Sequence, residues 1–200
     1  MNIISNTCIG AGIYKNCLNM PYNNPFMWNV IDYQSMYNLI QNYDKIDFTK
    51  IKLVKLNTTT NNPYAIVIDD TVTVKYVHYR YDKASHQPVT KGVDVFYDKI
   101  EDYIKEKYTT RLQLMKGSPI FIIGSIIKSH LYTEDQIKSI CKLNQPYKII
   151  IANNNIDLSQ EFQNVLFYKY KNPIETYGVS NCLLGKELFN EYRALLSGKQ

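Results

Sequence analysis

Apolar and polar positions along the chain alternate with two different periods, which predicts a mixture of strands and helices. Short apolar runs rich in β-branched residues indicate buried strands, and apolar residues spaced three or four apart indicate amphipathic helices. The predicted strands are Asn2–Ser5, Ile51–Leu56, Tyr64–Ile68, Thr71–Tyr79, Pro119–Gly124, Tyr147–Ala152 and Val165–Tyr170. The predicted helices are Gly10–Leu18, Asp32–Tyr43, Val95–Met115, a segment from a capping box at Thr133 and Gln136 through Leu143, and Lys186–Leu196.

The order of these elements predicts an α/β fold built as a single domain. Strands and helices are interspersed, so we expect a mixed sheet with helices packed on it, parallel where helices cross over. Three consecutive strands near residues 51–79 are joined by short polar segments, which predicts an antiparallel meander. No repeat or linker divides the chain, and the domain is expected to cover residues 1–200 with a flexible tail at 197–200.

Two consecutive acids, Asp69 and Asp70, separate two strands of this meander. Paired carboxylates after an apolar strand can hold a divalent metal ion against a diphosphate. Because strands flank the pair directly on both sides, a tight hairpin turn is the favoured interpretation.

Composition limits the classes of partner only weakly. The 200 residues are 45% hydrophobic, which is sufficient for a sizeable core, and the formal net charge is +5. Most of the positive charge is scattered lysine, as is typical of a solvated surface. Only Arg80, Arg111 and Arg193 could clamp a phosphate or carboxylate with two parallel hydrogen bonds.

The four cysteines indicate a reducing compartment rather than a disulfide framework. Cys8, Cys17, Cys141 and Cys182 show no Cys-x-x-Cys spacing for zinc, and we predict no metal and no cofactor. The start of the chain lacks the basic segment of a secretory signal, and its longest apolar run is too short to span a bilayer. A cytoplasmic location without stable membrane insertion is therefore expected.

Cys8 is the strongest candidate for chemistry because it stands between a predicted strand and a predicted helix. The stretch NIISNTCIGAGIY places the thiol at a helix entrance, where unpaired N–H groups favour the thiolate. Gly10 and Gly12 would allow a sharp turn and a close approach of substrate. The competing interpretation is that Cys8 is a small buried hydrophobe.

His78 is the favoured base for such a thiol. The alternation in TVTVKYVHYR puts Val72, Val74, Tyr76 and His78 on one strand face, the side expected to be covered. A Cys–His pair would then resemble the arrangement of thiol hydrolases and transferases. The alternative is that His78 is a core residue whose ring nitrogens are hydrogen-bonded within the protein. His86 and His130 are set aside because their segments are polar.

The glycines also raise the question of a nucleotide site. A dinucleotide fingerprint would require a third glycine where this chain has Lys15, so the fingerprint fails. A looser possibility is a phosphate or carboxylate held at the helix entrance, with charge from Lys15, Arg80 and Arg111.

Several short motifs, in this order, resemble those of a bacterial family of unknown function usually labelled exopolysaccharide biosynthesis protein. These motifs are ISNTCIG at residues 4–10, Ile13-Tyr14, YNNPF at residues 22–26 and VHY at residues 77–79. The resemblance implies a cytoplasmic role in making capsule, lipopolysaccharide or other surface glycans.

A more distant likeness is to papain-like cysteine peptidases. It implies that Cys8 and His78 are nucleophile and base, and that Ser5, Asn6 and Thr7 line the oxyanion side. The chain departs from the family pattern at residues 124–126, where Gly-Ser-Ile replaces an acidic Ser-Asp turn.

Three functions therefore compete. The first is acyl or glycosyl-ester transfer or hydrolysis on a small-molecule or glycan-precursor substrate, with Cys8 and His78 catalytic. The predicted substrate contacts are Ser5, Asn6, Gly10, Gly12, Asn24, Phe26, Trp28, Tyr79, Arg80 and Arg111. The second is a nucleotide-sugar transferase without thiol chemistry. The least favoured is a nucleic-acid module on the basic and aromatic residues 75–81, because strand alternation splits those aromatics between two faces.

Overall fold

A computed structural model of the chain describes residues 2–20, 24–26, 29–56, 64–76, 81–82, 87–88, 100–170 and 181–197. The strands in these residues are β1 (Asn2–Ser5), β2 (Asn29–Ile31), β3 (Ile51–Lys55), β4 (Tyr64–Ile68), β5 (Val72–Tyr76), β6 (Tyr81–Asp82), β7 (Gln87–Pro88), β8 (Pro119–Gly124), β9 (Lys148–Ala152) and β10 (Val165–Tyr168). The α-helices are α1 (Ile9–Ile13), α2 (Tyr33–Asn42), α3 (Ile100–Leu114), α4 (Glu134–Cys141), α5 (Asn181–Glu191) and α6 (Arg193–Ser197). A π-helical turn, Tyr14–Leu18, continues α1, and short 3₁₀ turns cover Tyr43–Lys45 and Lys128–His130.

Four strands form a parallel sheet in the order β1-β8-β9-β10. Its strands are almost continuously apolar, as PIFIIG in β8 and KIIIA in β9 illustrate. Strands of this kind are expected where both faces of a parallel sheet are covered.

The meander forms a second, antiparallel sheet in the order β2-β5-β4-β3. The predicted α/β class and the predicted meander are confirmed. The parallel and antiparallel strands lie in separate sheets, however, instead of one mixed sheet. β2, which lies in none of the predicted strands, pairs with β5.

Side chains of the parallel sheet alternate between two hydrophobic cores, because successive residues of a strand point to opposite faces. Ile3, Ile120 and Ile122 pack with α1, α5 and α6 on one face. Ile4 and Phe121 pack with α2, α4 and the antiparallel sheet on the other face. The parallel sheet is therefore the middle of three layers.

The outer edge of β1 is closed by side chains where a further strand would otherwise pair. Asn24 Nδ2 donates hydrogen bonds to the carbonyl of Ile3 (2.7 Å) and to Asn2 Oδ1 (3.0 Å). The Ile3 N–H donates to the hydroxyl of Tyr14 at 3.2 Å. Because these groups occupy the edge, the antiparallel strands cannot extend the parallel sheet, which explains why there are two sheets.

Helix boundaries follow the predicted caps. Asp32 caps α2 by accepting a hydrogen bond from the Ser35 N–H at 2.9 Å. Thr133 and Gln136 form the predicted capping box of α4, with distances of 2.9 and 3.3 Å. The last predicted helix is two helices, α5 and α6, and α5 begins earlier than its apolar spacing indicated.

The boundaries of the domain stay a prediction. Ser197 ends α6, and the remainder of the expected flexible tail, residues 198–200, lies outside the described residues. Among the described residues, no helix has the length and apolar character needed to cross a membrane.

Asp69 and Asp70 form the predicted hairpin turn. Their φ angles are 46° and 56°, and the Thr71 N–H closes the turn on the Ile68 carbonyl at 3.0 Å. Positive φ at both central residues is what type I′ hairpin turns require. Each carboxylate pairs with a lysine, Lys50 or Lys52, and the described part of the chain holds no cluster of three metal-ligating side chains.

Replacing Asn24 with alanine should destabilise the fold by about 1–3 kcal/mol, because the Ile3 carbonyl and Asn2 Oδ1 would stay buried without their donor. Urea unfolding measures this change. Asn16→Ala is the matched control, since Asn16 is exposed on the π-helical turn and its loss should cost less than about 0.5 kcal/mol. Equal effects of the two substitutions would contradict the edge-closing role of Asn24.

Asp70→Gly should be more stable than Asp70→Ala by about 1 kcal/mol, because both lose the ion pair with Lys52 but only glycine adopts positive φ without strain. Thermal unfolding of both variants gives the difference. Added Mg²⁺ or Mn²⁺ should leave the wild-type midpoint unchanged, and a metal-dependent rise that Asp70→Ala abolishes would restore the metal interpretation.

Candidate functional site

The turns that follow β1 and β8 leave the parallel sheet toward opposite faces. α1, after β1, packs on the face that carries Ile3, whereas α4, after β8, packs on the face that carries Phe121. The two turns therefore diverge at the carboxyl edge of the parallel sheet, and this is the edge at which open α/β sheets usually bind ligands. We call the region between residues 6–8 and residues 125–133 the carboxyl-edge crevice.

Buried polar side chains join the two turns at the base of this crevice. Asn6 Oδ1 accepts a hydrogen bond from the Gly124 N–H at 2.9 Å, and Asn6 Nδ2 donates to the His130 carbonyl at 3.4 Å. Thr7 Oγ1 donates to the Gly124 carbonyl at 3.1 Å. These bonds fix the two walls of the crevice relative to each other.

Ser5 holds the first turn of α1. Its hydroxyl donates to the Thr7 carbonyl at 2.5 Å and accepts from the Gly10 N–H at 2.9 Å. The predicted residues Ser5 and Asn6 therefore lie beside Cys8, but their polar atoms bind the protein backbone. A direct contact of either side chain with substrate would require breaking these buried bonds.

Cys8 lies at the N-cap position of α1, directly after the polar turn. It is partly exposed, is not in a disulfide, and its side chain makes no capping hydrogen bond. Burial raises the pKa of the other two described thiols. For Cys17 the positive charges of Lys186 and Arg193 partly oppose this rise, and for Cys141 the pKa reaches about 11. The predicted position of Cys8 at a helix entrance is thus found, although α1 itself has only five residues.

The two glycines of α1 are buried and serve packing. A Cβ atom on Gly10 would lie 2.9 Å from Ser5 Oγ and 3.4 Å from the Ile3 side chain. The prediction that Gly10 admits substrate is therefore wrong, because its open side is filled by β1. Gly12 is buried within the same helix.

Asn24 and Phe26 also belong to the packed interior and not to the crevice. Asn24 is fully buried at the edge of β1, as described above. Phe26 is 1% exposed, and its ring packs edge-on against Phe48 with centroids 6.1 Å apart. The predicted substrate contacts by these two residues are wrong, because neither reaches a surface that a substrate could touch.

Arg111 lies toward the other end of the sheet. It is in the last turn of α3, which leads within a few residues to Pro119 at the amino end of β8. One turn earlier, the Tyr108 hydroxyl donates to the Phe48 carbonyl at 3.0 Å. Cys8 follows the carboxyl end of β1, and no contact joins Arg111 to the entrance of α1 among the contacts described, so the role of Arg111 stays a prediction.

Four further predicted residues cannot be placed. His78, Tyr79, Arg80 and Trp28 lie outside the described residues. Their roles, including that of His78 as base, stay predictions.

The second wall of the crevice contains residues that the sequence did not single out. Ser125 Oγ accepts from the Ile127 N–H at 2.9 Å, and Asn181 Oδ1, at the start of α5, accepts from the Ile126 N–H at 2.8 Å. His130 ends the 3₁₀ turn after β8. Because His130 follows an apolar strand closely, its position in the sequence indicated the carboxyl edge of the sheet. Nothing in the sequence indicated that β8 is adjacent to β1.

His130 is half-buried, and its Nδ1 atom is buried without a hydrogen-bond partner. Burial lowers the pKa of this imidazole below its ordinary value, and the positive charge of Lys75 lowers it further. The ring is therefore neutral at pH 7 and can accept a proton.

Gly10→Ala should destabilise the protein by about 1–3 kcal/mol, because the added methyl group would collide with the bonded Ser5 hydroxyl. Unfolding of Gly10→Ala, Ser5→Ala and the double variant forms a thermodynamic cycle. Removal of the hydroxyl should relieve the collision, so the double variant should lose less stability than the sum of the single variants. Strict additivity would contradict the packing explanation.

Comparison with known proteins gives a family match for part of the chain and no activity. The family model described as a domain of unknown function, DUF1919, matches residues 1–91. No curated protein sequence matches the chain. The matched segment contains Cys8 and the predicted base His78, whereas β8, β9, β10 and His130 lie beyond it.

Proposed function

We propose that the protein is a thiol-dependent enzyme that transfers or hydrolyses an acyl or glycosyl ester of a glycan precursor. The carboxyl-edge crevice is its active site, and Cys8 is the nucleophile. A role in surface-glycan synthesis and a cytoplasmic location are parts of this proposal that rest on the resemblance of the short motifs.

The observation that carries the proposal is the position of Cys8 in the crevice. The neighbouring side chains of Ser5, Asn6 and Thr7 are buried, whereas Cys8 is partly exposed. Among these four consecutive residues, Cys8 is thus the one that is open to solvent.

The chemistry follows from what a thiol can do with an activated carbonyl group. Cys8 Sγ loses its proton to a base and forms a bond to the carbonyl carbon, while the carbon–oxygen bond to the leaving alcohol breaks and that oxygen takes the proton. Water or a sugar hydroxyl then attacks the thioester and restores the thiol. The predicted base is a histidine.

A nucleotide-sugar transferase without thiol chemistry is the second candidate. It is favoured by the position of the crevice, since nucleotides commonly bind at the carboxyl edge of parallel sheets. Two observations oppose it: the Gly10 N–H is already bonded to Ser5, and Arg111 lies toward the opposite edge of the sheet. Thermal stabilisation by a nucleoside diphosphate sugar that persists in Cys8→Ala would favour this candidate.

The test of the proposal is the rate of alkylation of each cysteine by iodoacetamide in the folded protein, followed by mass spectrometry between pH 5.5 and 9.5. Cys8 should react with an apparent pKa well below the free-thiol value of about 8.5. Cys17 and Cys141 are internal controls and should react slowly, because burial raises the pKa of both thiols.

Cys8→Ser should keep the unfolding midpoint while removing the fast-reacting site and any esterase activity on acyl-glycan substrates. A Cys8 that reacts no faster than Cys141 would identify it as a packing residue and end the proposal. Substantial loss of stability in Cys8→Ser would point the same way.

A further inference from the structure

Polar side chains also collect on the other side of β8, where its carboxyl end adjoins that of β9. Gly124 is the partner of Ala152 in the parallel register, so the residues that follow them, Ser125 and Asn153, stand beside each other at about one strand spacing. The Tyr170 hydroxyl bonds both strand ends, at 2.7 Å from the Ser125 carbonyl and 3.1 Å from the Ala152 carbonyl. The two strand ends are therefore held together by a side chain that follows β10.

Asn181, at the start of α5, completes this group. Its Oδ1 atom accepts a hydrogen bond from the Ile126 N–H at 2.8 Å and lies 3.4 Å from the Ser125 hydroxyl. We call Ser125, Asn153, Tyr170 and Asn181 the amide cluster. It adjoins the carboxyl-edge crevice, because Ser125 belongs to both.

The two amides of the cluster are deeply buried, and the orientation of each is fixed. Asn153 is 6% exposed and Asn181 is 5% exposed. Asn153 Oδ1 accepts from the Asn155 N–H at 2.8 Å, and Asn181 Oδ1 accepts from Ile126, so these bonds decide which end of each amide is the oxygen. Neither Nδ2 atom donates a hydrogen bond to the described residues.

Both Nδ2 atoms nevertheless reach solvent. In the described residues, the unbonded side-chain N and O atoms that are shut off from solvent are Asn29 Oδ1 and His130 Nδ1. The nitrogens of Asn153 and Asn181 are not among them, although each residue is more than nine-tenths buried. Each NH₂ group carries two N–H donors, and donors on buried side chains normally have partners. A ligand that enters at this edge therefore meets donors that the protein itself does not use.

The cluster carries no formal charge. Among the described residues, no charged side chain bonds to Asn153 or Asn181. Next to the cluster, Lys169 is paired with Asp157 at 3.0 Å. A phosphate or carboxylate held by neutral amides would lose its hydration without gaining an opposite charge. The oxygens of a neutral ligand that is rich in hydroxyl groups fit these donors better.

We propose that the amide cluster is a binding site for a neutral hydroxylated ligand, which is the chemistry of a sugar ring. Asn153 and Asn181 donate hydrogen bonds through Nδ2 to hydroxyl oxygens of the ligand, while their Oδ1 atoms keep their bonds to the backbone. The inference goes beyond the proposed function, because binding at the cluster requires no thiol. A ligand bound here lies beside the carboxyl-edge crevice.

The first test follows the side-chain NH₂ resonances by NMR while glucose, galactose or N-acetylglucosamine is added to the wild-type protein. The NH₂ signals of Asn153 and Asn181 should shift in a saturable way with at least one of these sugars. The NH₂ signal of Asn155 is the internal control, because this side chain is exposed and lies outside the cluster. It should not shift.

Substitution by aspartate tests the donors themselves. Asn153→Asp and Asn181→Asp each keep an oxygen for the backbone N–H and replace the NH₂ group with a second acceptor. Each should weaken the affinity for the sugar by about tenfold or more, because a hydrogen bond is lost and an acceptor faces an acceptor. Asn155→Asp is the matched control and should leave the affinity within about twofold, since it makes the same chemical change on an exposed amide.

Three results would overturn the inference. They are the absence of any shift of the Asn153 and Asn181 signals with all three sugars, an equal loss of affinity in the three aspartate variants, and shifts caused by inorganic phosphate but by none of the sugars. The last result would identify an anion site. The wild-type titration decides the matter even where an aspartate variant does not fold. None of these results depends on the alkylation of Cys8, so failure here and failure of the proposed function are separate outcomes.

Discussion

The side chain and backbone of Asn6 join the parts of the molecule that meet at the crevice. Its N–H donates to the Ile122 carbonyl at 3.2 Å and so extends the pairing of β1 with β8, while its carbonyl accepts from the Ile31 N–H at 3.0 Å and so holds the end of the antiparallel sheet. Its amide binds Gly124 and His130. The polar groups of a fully buried residue must have partners, and for Asn6 those of the backbone come from both sheets and those of the side chain from the opposite wall. The position of the crevice thus follows from the hydrogen bonds that one buried residue makes.

The need to cover both faces of the parallel sheet is a second constraint. Each face of its apolar strands requires a cover, and the two covers differ: helices on one side, and α2, α4 and the antiparallel sheet on the other. Because α1 and α4 belong to different covers, the turns before them must diverge. The divergence separates the two turns at the carboxyl ends of β1 and β8. The crevice is therefore a consequence of covering both faces of the sheet.

Features that depend on residues close together in the chain could be predicted from the sequence, whereas contacts between distant residues could not. The capping box at Thr133, the N-cap at Asp32 and the turn at Asp69 and Asp70 depend on residues close together in the chain, and all were predicted. The short strand β2 was missed, because its pairing with β5 depends on a distant partner. The role of Phe26 was mistaken for the same reason, since only the fold shows that Phe48 packs against its ring. Apolar aromatic residues in a loop look alike in sequence whether they bind substrate or complete a core.

The structure also limits how Cys8 could become reactive. A helix dipole favours a thiolate through unpaired N–H groups of the first turn, but the Gly10 N–H of α1 is occupied by the Ser5 hydroxyl. The field at Cys8 is therefore weaker than that at a helix start whose N–H groups are all open. An efficient thiol at this position would need a proton acceptor in addition to the helix. A neutral imidazole is suited to that task near pH 7, because it accepts a proton without first having to lose one.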